Sequence, residues 1–342
     1  MRSVSTGLFQ VMIALWLIGV SSVRAQSVWN LTRGDRFSVM VNVSRQTEIQ
    51  LGDSAPVVRH TSEQFELTYL VSSILPTKTV LNVSVSNASL TDKTSDTPQT
   101  SAVAIPDGFV VDIAVDADGS VMLMGTTHHF PGKRAGISPG AARAIDESFP
   151  DPVVLSWVGR PFWLTPPATL PAADANAEQP TTWDRLDAVS LGLMGHLRGV
   201  VTCTLEKHNS EDSLESGTVS AKGSFRHIAP TPGRESEGSG FMFRDVTATV
   251  DSFEANGSFQ RPEGEAPQPD PANPAGNERR PWLEKLDLQW SLSGSASVVT
   301  NGQSTKCRFE QKLEHSYQLL PGFRMKRSLF LPFPDNQRIP VR

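Results

Sequence analysis

The stretch Phe109–Leu123, FVVDIAVDADGSVML, decides the fold class of this 342-residue chain. Apolar side chains recur at every second position from Phe109 to Val115, which is the period of a β-strand with one buried face. Asp118-Gly119 then supplies a tight turn, after which the alternation resumes. The segment therefore predicts an antiparallel β-hairpin.

The same alternation recurs on both sides of this hairpin, and each run predicts a strand with one buried and one solvated face. We therefore expect a mainly β chain with two antiparallel, curved β-sheet lobes, in the form of open half-barrels, and one short helix in the connector. The runs lie near residues 37–43, 65–71, 81–85, 196–208, 216–229, 240–260, 283–299 and 303–319.

Breaks in this pattern define the domain organisation. Ser138-Pro139 is a helix start, and apolar residues at spacing four then predict a helix over 139–149, followed by a Pro-rich stretch. Six prolines in the insert 261–281 predict a disordered loop. The predicted order is a signal peptide (1–25), lobe 1 (26–127), the connector (128–182), lobe 2 (183–320) and a C-terminal tail (321–342).

The N-terminus predicts export. Arg2 precedes an apolar stretch over 8–20, and small residues then set a cleavage site between Ala25 and Gln26. This stretch is too short to cross a hydrocarbon core about 30 Å thick as a helix. We therefore expect a periplasmic or extracellular protein with no transmembrane segment after removal of the signal.

Export gives meaning to the two cysteines, Cys203 and Cys307. An even pair in an oxidising compartment is a disulfide candidate, and both thiols lie on the apolar side of an alternating run. The alternative is two separate buried thiols. A catalytic thiol is disfavoured, because apolar surroundings raise a thiol pKa.

Three tryptophans, Trp157, Trp163 and Trp183, flank the connector. Their large side chains either staple the two lobes together or line a groove between them. The basic, apolar tail 321–342 offers a second contact surface, which binds a partner or packs across the acidic body.

Composition and motifs exclude several functions. The net charge of −5 gives no broad basic surface for nucleic acid. The seven histidines show no metal-ligand spacing, and Asp116–Gly119 is typical of a hairpin turn rather than a calcium loop. Neither a Gly-x-Ser-x-Gly elbow nor a phosphate loop occurs. The sequence therefore assigns no catalytic, cofactor-binding or metal residue and no cofactor.

Several segments together carry a family resemblance: Trp29–Phe37, Tyr69–Val71, Asp118-Gly119, and Leu170-Pro171 before Trp183. Over residues 29–187 the chain resembles uncharacterised exported β-rich proteins common in planctomycete-type bacteria. That family has no established activity. The resemblance implies bacterial export and β structure.

These observations favour an exported, noncatalytic β protein over an enzyme. Its expected role is to bind an apolar ligand or to serve a structural role in the cell envelope, with a lipid or envelope component as partner. One alternative is a hydrolase with its site in the inter-lobe groove. Another is a protein-interaction scaffold that uses the basic tail.

Overall fold

A computed structural model describes residues 31, 33–75, 77–94, 108–116, 119–124, 150–163, 181–207, 216–229, 241–260, 282–300 and 302–320. The predicted signal peptide with its Ala25–Gln26 site, the helix over 139–149, the insert 261–281 and the tail 321–342 lie outside these residues.

The described residues form one antiparallel sheet of eleven strands. The strands are β1 (Arg36–Leu51), β2 (Val57–Ile74), β3 (Lys78–Thr94), β4 (Val110–Asp116), β5 (Val121–Leu123), β6 (Thr181–Ser190), β7 (His196–Lys207), β8 (Ser216–Ile228), β9 (Phe241–Gln260), β10 (Trp282–Thr300) and β11 (Gln303–Leu319). Their order across the sheet is β5-β4-β3-β2-β1-β11-β10-β9-β8-β7-β6.

The mainly β class is confirmed, but the two predicted lobes are halves of a single curved sheet. The first and last strands, β1 and β11, pair from Val39↔Leu319 to Leu51↔Cys307 and so join the halves. Alternation along a sequence shows which face of a strand is buried, but it does not show which distant strand is its partner. The predicted division into lobes therefore missed this central pairing.

The hairpin that decided the fold class is confirmed as β4 and β5, with Val115 opposite Val121. The Asp116 amide donates to the Ser120 carbonyl at 2.9 Å, and the Gly119 amide donates to the Asp116 carbonyl at 3.0 Å. Gly119 has a φ of 84°, a conformation that glycine adopts without strain.

The pairing of β2 with β3 and of β9 with β10 shifts register at five places, and two of these contain a residue with positive φ. Asn87 in β3 and Asp245 in β9 have positive φ angles of 57° and 52°, and both lie where the register with the neighbouring strand shifts. A bulge bends its strand and increases the local twist, so these two positions contribute to the curvature of the sheet.

A single helix, α1 (Asp151–Gly159), followed by a 3₁₀ turn (Arg160–Phe162), is the helical element of the connector in the described part of the chain. Pro150 is the N-cap residue of α1, and Pro152 lies in the first turn, where a missing amide hydrogen costs nothing.

Helix α1 lies between the two edges of the sheet. At one edge, the Ala188 amide of β6 donates to Ser156 Oγ of the helix at 2.7 Å. At the other edge, Gly159 of the helix lies against Val121 of β5. The helix thus supplies a hydrogen-bond partner to edge strand β6, whose backbone groups would otherwise be left exposed.

Candidate functional site

The face of the sheet that contacts α1 is called the inner face below. Tyr69 Oη of β2 donates to the Val158 carbonyl of the helix at 3.1 Å, and the ring centroid of Phe65 lies 5.6 Å from that of Trp157. Side chains alternate between the two faces of a strand, so odd-numbered residues of β1 and β11 share this face.

Arg160, just after the helix, lies at the centre of a buried polar cluster. Its Nε and Nη2 donate to Asp187 Oδ1 at 3.2 and 2.9 Å, and Nη2 also donates to the Ala188 carbonyl at 3.2 Å. Its Nη1 donates to His315 Nδ1 at 2.7 Å and to Tyr317 Oη at 2.9 Å. These contacts use all five guanidinium hydrogens.

Aromatic rings surround the rest of this guanidinium. Arg160 Cζ lies 5.1 Å from the ring centroid of Trp290, 5.7 Å from that of Tyr317 and 5.8 Å from that of Trp163. Rings at these distances attract a cation through their quadrupoles. The site therefore holds a permanent positive charge inside the core and ties the helix to β6 and β11.

The protonation states follow from burial. Burial lowers the pKa of His315 well below its usual value, and the charges of Arg160 and Arg45 lower it further. Neutral His315 accepts the Arg160 hydrogen bond at Nδ1, so its own hydrogen lies on Nε2. Burial raises the pKa of the Asp187 carboxyl, and the facing Arg160 opposes that rise.

Three side chains in or next to this cluster carry N–H donors that make few or no hydrogen bonds. His315 Nε2 and Trp290 Nε1 are buried and make no hydrogen bond. Arg45 has one long contact, a 3.4 Å bond from Nη2 to the Ser190 carbonyl. Arg45 and Trp290 both lie opposite Leu313 on the neighbouring strands, and His315 is the next inner-face residue of β11.

Beyond these donors the inner face of β9, β10, β11 and β1 is mainly apolar, interrupted by one buried polar pair in which Gln311 Nε2 of β11 donates to Thr47 Oγ1 of β1 at 2.9 Å, while Gln311 Oε1 makes no hydrogen bond. Leu292, Ala296 and Phe309 are the buried residues at the base of this surface. Half-buried apolar side chains extend the hydrophobic core along it. We call this surface the distal inner face; it comprises the polar pair Thr47 and Gln311 and the remaining positions Ile49, Phe243, Val246, Ala248, Val250, Leu292, Gly294, Ala296, Cys307 and Phe309.

The three connector tryptophans lie in the packing between the helical segment and the sheet. Trp157 is in α1 and packs against Phe65 of β2, whereas Trp183 is in β6. The Trp183 indole donates to the Trp163 carbonyl at 2.9 Å. All three side chains are buried, and they contact elements from both halves of the sheet.

The structure does not support the predicted Cys203–Cys307 disulfide, because both thiols are free and buried. The register connects Cys203 on β7 to Ala221, Ala255, Leu288 and finally His315 on β11. Cys307 lies eight residues from His315 on that strand, which is about 27 Å at the usual rise per residue of a strand. Two cysteines joined by a disulfide need Cα atoms within about 7 Å of each other, so this register keeps the two thiols apart. The alternation in the sequence correctly placed both thiols in the core, but it does not show which residues face each other on paired strands. Burial raises the pKa of Cys203 to about 12.

Within the described ranges, no group of three or more His, Cys, Asp or Glu side chains could hold a metal ion. In the same part of the chain, no helix is long and apolar enough to cross a membrane.

The sequence interpretation missed the cluster of Arg160, Asp187 and His315. One signal was present, because His315 alternates with Leu313 and Tyr317 and therefore belongs to a buried face. Arg160 gave a weaker signal, as a lone charge within the apolar run 153–163.

No family model matches the chain, and no curated protein matches it. Among solved structures it is similar to lipovitellin, described for its lipid–protein interactions, with a TM-score of 0.36 and 8% identity over 84% of this chain and 25% of that one. It is also similar to an outer membrane channel from Pseudomonas putida F1, with a TM-score of 0.23 and 7% identity over 85% of this chain and 97% of that one. The chain spans a quarter of the length of the lipovitellin chain.

Proposed function

We propose that this chain is an exported, noncatalytic β protein that binds an apolar ligand on the distal inner face. The observation that carries the proposal is the composition of that face. It continues the hydrophobic core beyond the helix, and its side chains Ile49, Ala248 and Val250 are only half-buried. Apolar surface that is left partly accessible in a concave sheet is a common feature of ligand sites.

The buried polar cluster supports a noncatalytic role for the helix. Every guanidinium hydrogen of Arg160 is used within the protein, and its Asp187 partner is fully buried. Such a group holds α1 in place, and so keeps the helix at the proximal end of the inner face. The hydrolase and scaffold alternatives, the export route and an envelope location stay predictions.

The proposal is tested with two matched charge substitutions on β9. Ala248 lies on the distal inner face, whereas its neighbour Thr249 is exposed on the outer face. A fluorescent long-chain alkyl probe is titrated into the full chain. We expect Ala248→Glu to weaken probe binding at least tenfold, because a bound chain would have to desolvate the new carboxylate.

Thr249→Glu serves as the control and should bind the probe as the wild type does. Thermal melting of both variants establishes that they are folded. Equal probe binding by the wild type and Ala248→Glu would overturn the proposed site, and a wild-type chain that binds no probe would overturn the proposed function.

A further inference from the structure

Resting on that proposed function, we infer that the ligand is an amphiphile whose head carries a carbonyl oxygen, bound by the Trp290 and His315 N–H groups beside Arg45.

Both donor groups carry a hydrogen in the folded chain. Trp290 Nε1 carries a hydrogen at every pH, and His315 Nε2 carries one because Nδ1 accepts from Arg160. Both atoms are buried without a partner, and their residues are 2% and 3% exposed. Buried donors are nearly always hydrogen-bonded, so an acceptor is the missing component.

The rings that carry the two donors lie against each other. The ring centroids of Trp290 and His315 lie 4.9 Å apart. Arg45 occupies the same row as Trp290, on the other side of Leu313, and its Nη2 donates to the Ser190 carbonyl at 3.4 Å. The three donor side chains therefore lie on adjacent inner-face positions around Leu313.

The surroundings of the donors carry charges of both signs. Arg160 is paired with Asp187, and Glu63 on the neighbouring strand β2 offsets the charge of Arg45. Arg59 also acts on Arg45, but it is itself paired with Asp92, so each of these cations has an anion near it. This balance favours a hydrogen-bond acceptor and does not require a full negative charge, so a fatty acid and a fatty ester supply the same carbonyl chemistry.

The head site adjoins the apolar surface. Leu292 follows Trp290 as the next inner-face residue of β10, and Ile49 lies further along the inner face of β1 from Arg45. An oxygen held by the donors would direct an attached acyl chain along the distal inner face. The position of the donors accounts for the orientation of the ligand.

The test compares three probes with the same chain length: hexadecanoate, methyl hexadecanoate and hexadecane. Each displaces the fluorescent alkyl probe from the full chain, in the wild type and in Trp290→Phe, which removes the N–H and keeps an aromatic ring. We expect Trp290→Phe to weaken both oxygenated ligands about three- to tenfold, the range of one neutral hydrogen bond. Hexadecane should bind both proteins equally.

Arg45→Met separates the two sources of the oxygen. A greater loss of affinity for hexadecanoate than for the methyl ester identifies the acid as the favoured ligand. Equal losses of affinity identify the ester carbonyl. Both results support the site. If Trp290→Phe weakens all three ligands equally, or none, the head site is overturned while the apolar site stands. If no ligand binds the wild type, the proposed function falls first.

Discussion

The Arg160 guanidinium and the Asp187 carboxylate lie 2.9 Å apart with both side chains fully excluded from solvent. Removing two charges from water costs several kcal/mol per ion, and the pair compensates for this only when the remaining hydrogen bonds are also made. Arg160 makes its remaining bonds to β6, an edge strand, and to β11, a central strand, whereas Asp187 Oδ2 is buried without a hydrogen-bond partner. The pair and these bonds therefore tie the helical segment to two separate strands of the sheet.

Loss of Arg160 should destabilise the fold strongly. Arg160→Met leaves the buried Asp187 carboxylate without its partner, and we expect the free energy of unfolding to fall by about 3–5 kcal/mol. Denaturant unfolding measures the change. The double variant Arg160→Met/Asp187→Leu should recover part of the loss, because it removes the unpaired charge. A single variant as stable as the wild type would show that the pair does not hold the helix.

His315 should make the fold acid-sensitive. Its pKa is well below 6.5 when folded and returns to about 6.5 on unfolding, so below about pH 6.5 the unfolded chain binds a proton that the folded chain refuses. The stability that neutral, buried His315 contributes to the fold is fully present above pH 6.5. It is lost as the pH falls toward the folded pKa, by at most about 1.4 kcal/mol per pH unit.

His315→Gln keeps an acceptor for Arg160 and does not titrate. Unfolding free energies measured for both proteins between pH 7 and pH 5 should therefore converge as the pH falls. Parallel curves over that window would contradict the assignment of a neutral, buried His315.

Much of the strand pattern was predictable from sequence, because alternation depends on local burial. The predicted runs 196–208, 216–229 and 303–319 agree with β7, β8 and β11 to within one residue. The β1–β11 pairing and the separation of the two cysteines were not predictable, because both depend on long-range register. The Arg160 cluster was missed for the same reason, since its members come from three distant segments.

Close packing of an aromatic ring over a glycine should make Gly294 intolerant of a side chain. A Cβ added there would lie 2.3 Å from Phe309 Cζ and 2.3 Å from the Thr247 carbonyl oxygen. We expect Gly294→Ala to destabilise the fold by about 1–3 kcal/mol in denaturant unfolding, because the backbone must shift. Ser297→Ala, on the outer side of the same strand, should change stability by less than about 0.5 kcal/mol. Equal stabilities for the two variants would contradict the packing.

The two cysteines should behave as unreactive free thiols. Burial raises the pKa of both Cys203 and Cys307, which leaves almost no thiolate at neutral pH. A thiol-specific reagent should therefore label neither residue in the folded chain and both after denaturation without reductant. Failure to label the denatured, unreduced chain would show a disulfide and would contradict the register that separates them.

The most direct test of the account is native mass spectrometry of the delipidated full chain after incubation with hexadecanoate. One ligand molecule per chain should bind to the wild type and to Thr249→Glu, and binding should be lost in Ala248→Glu. Such a result would assign the ligand to the distal inner face. A ligand-free wild-type chain, or equal occupancy in both variants, would contradict the central claim that this face binds an apolar chain.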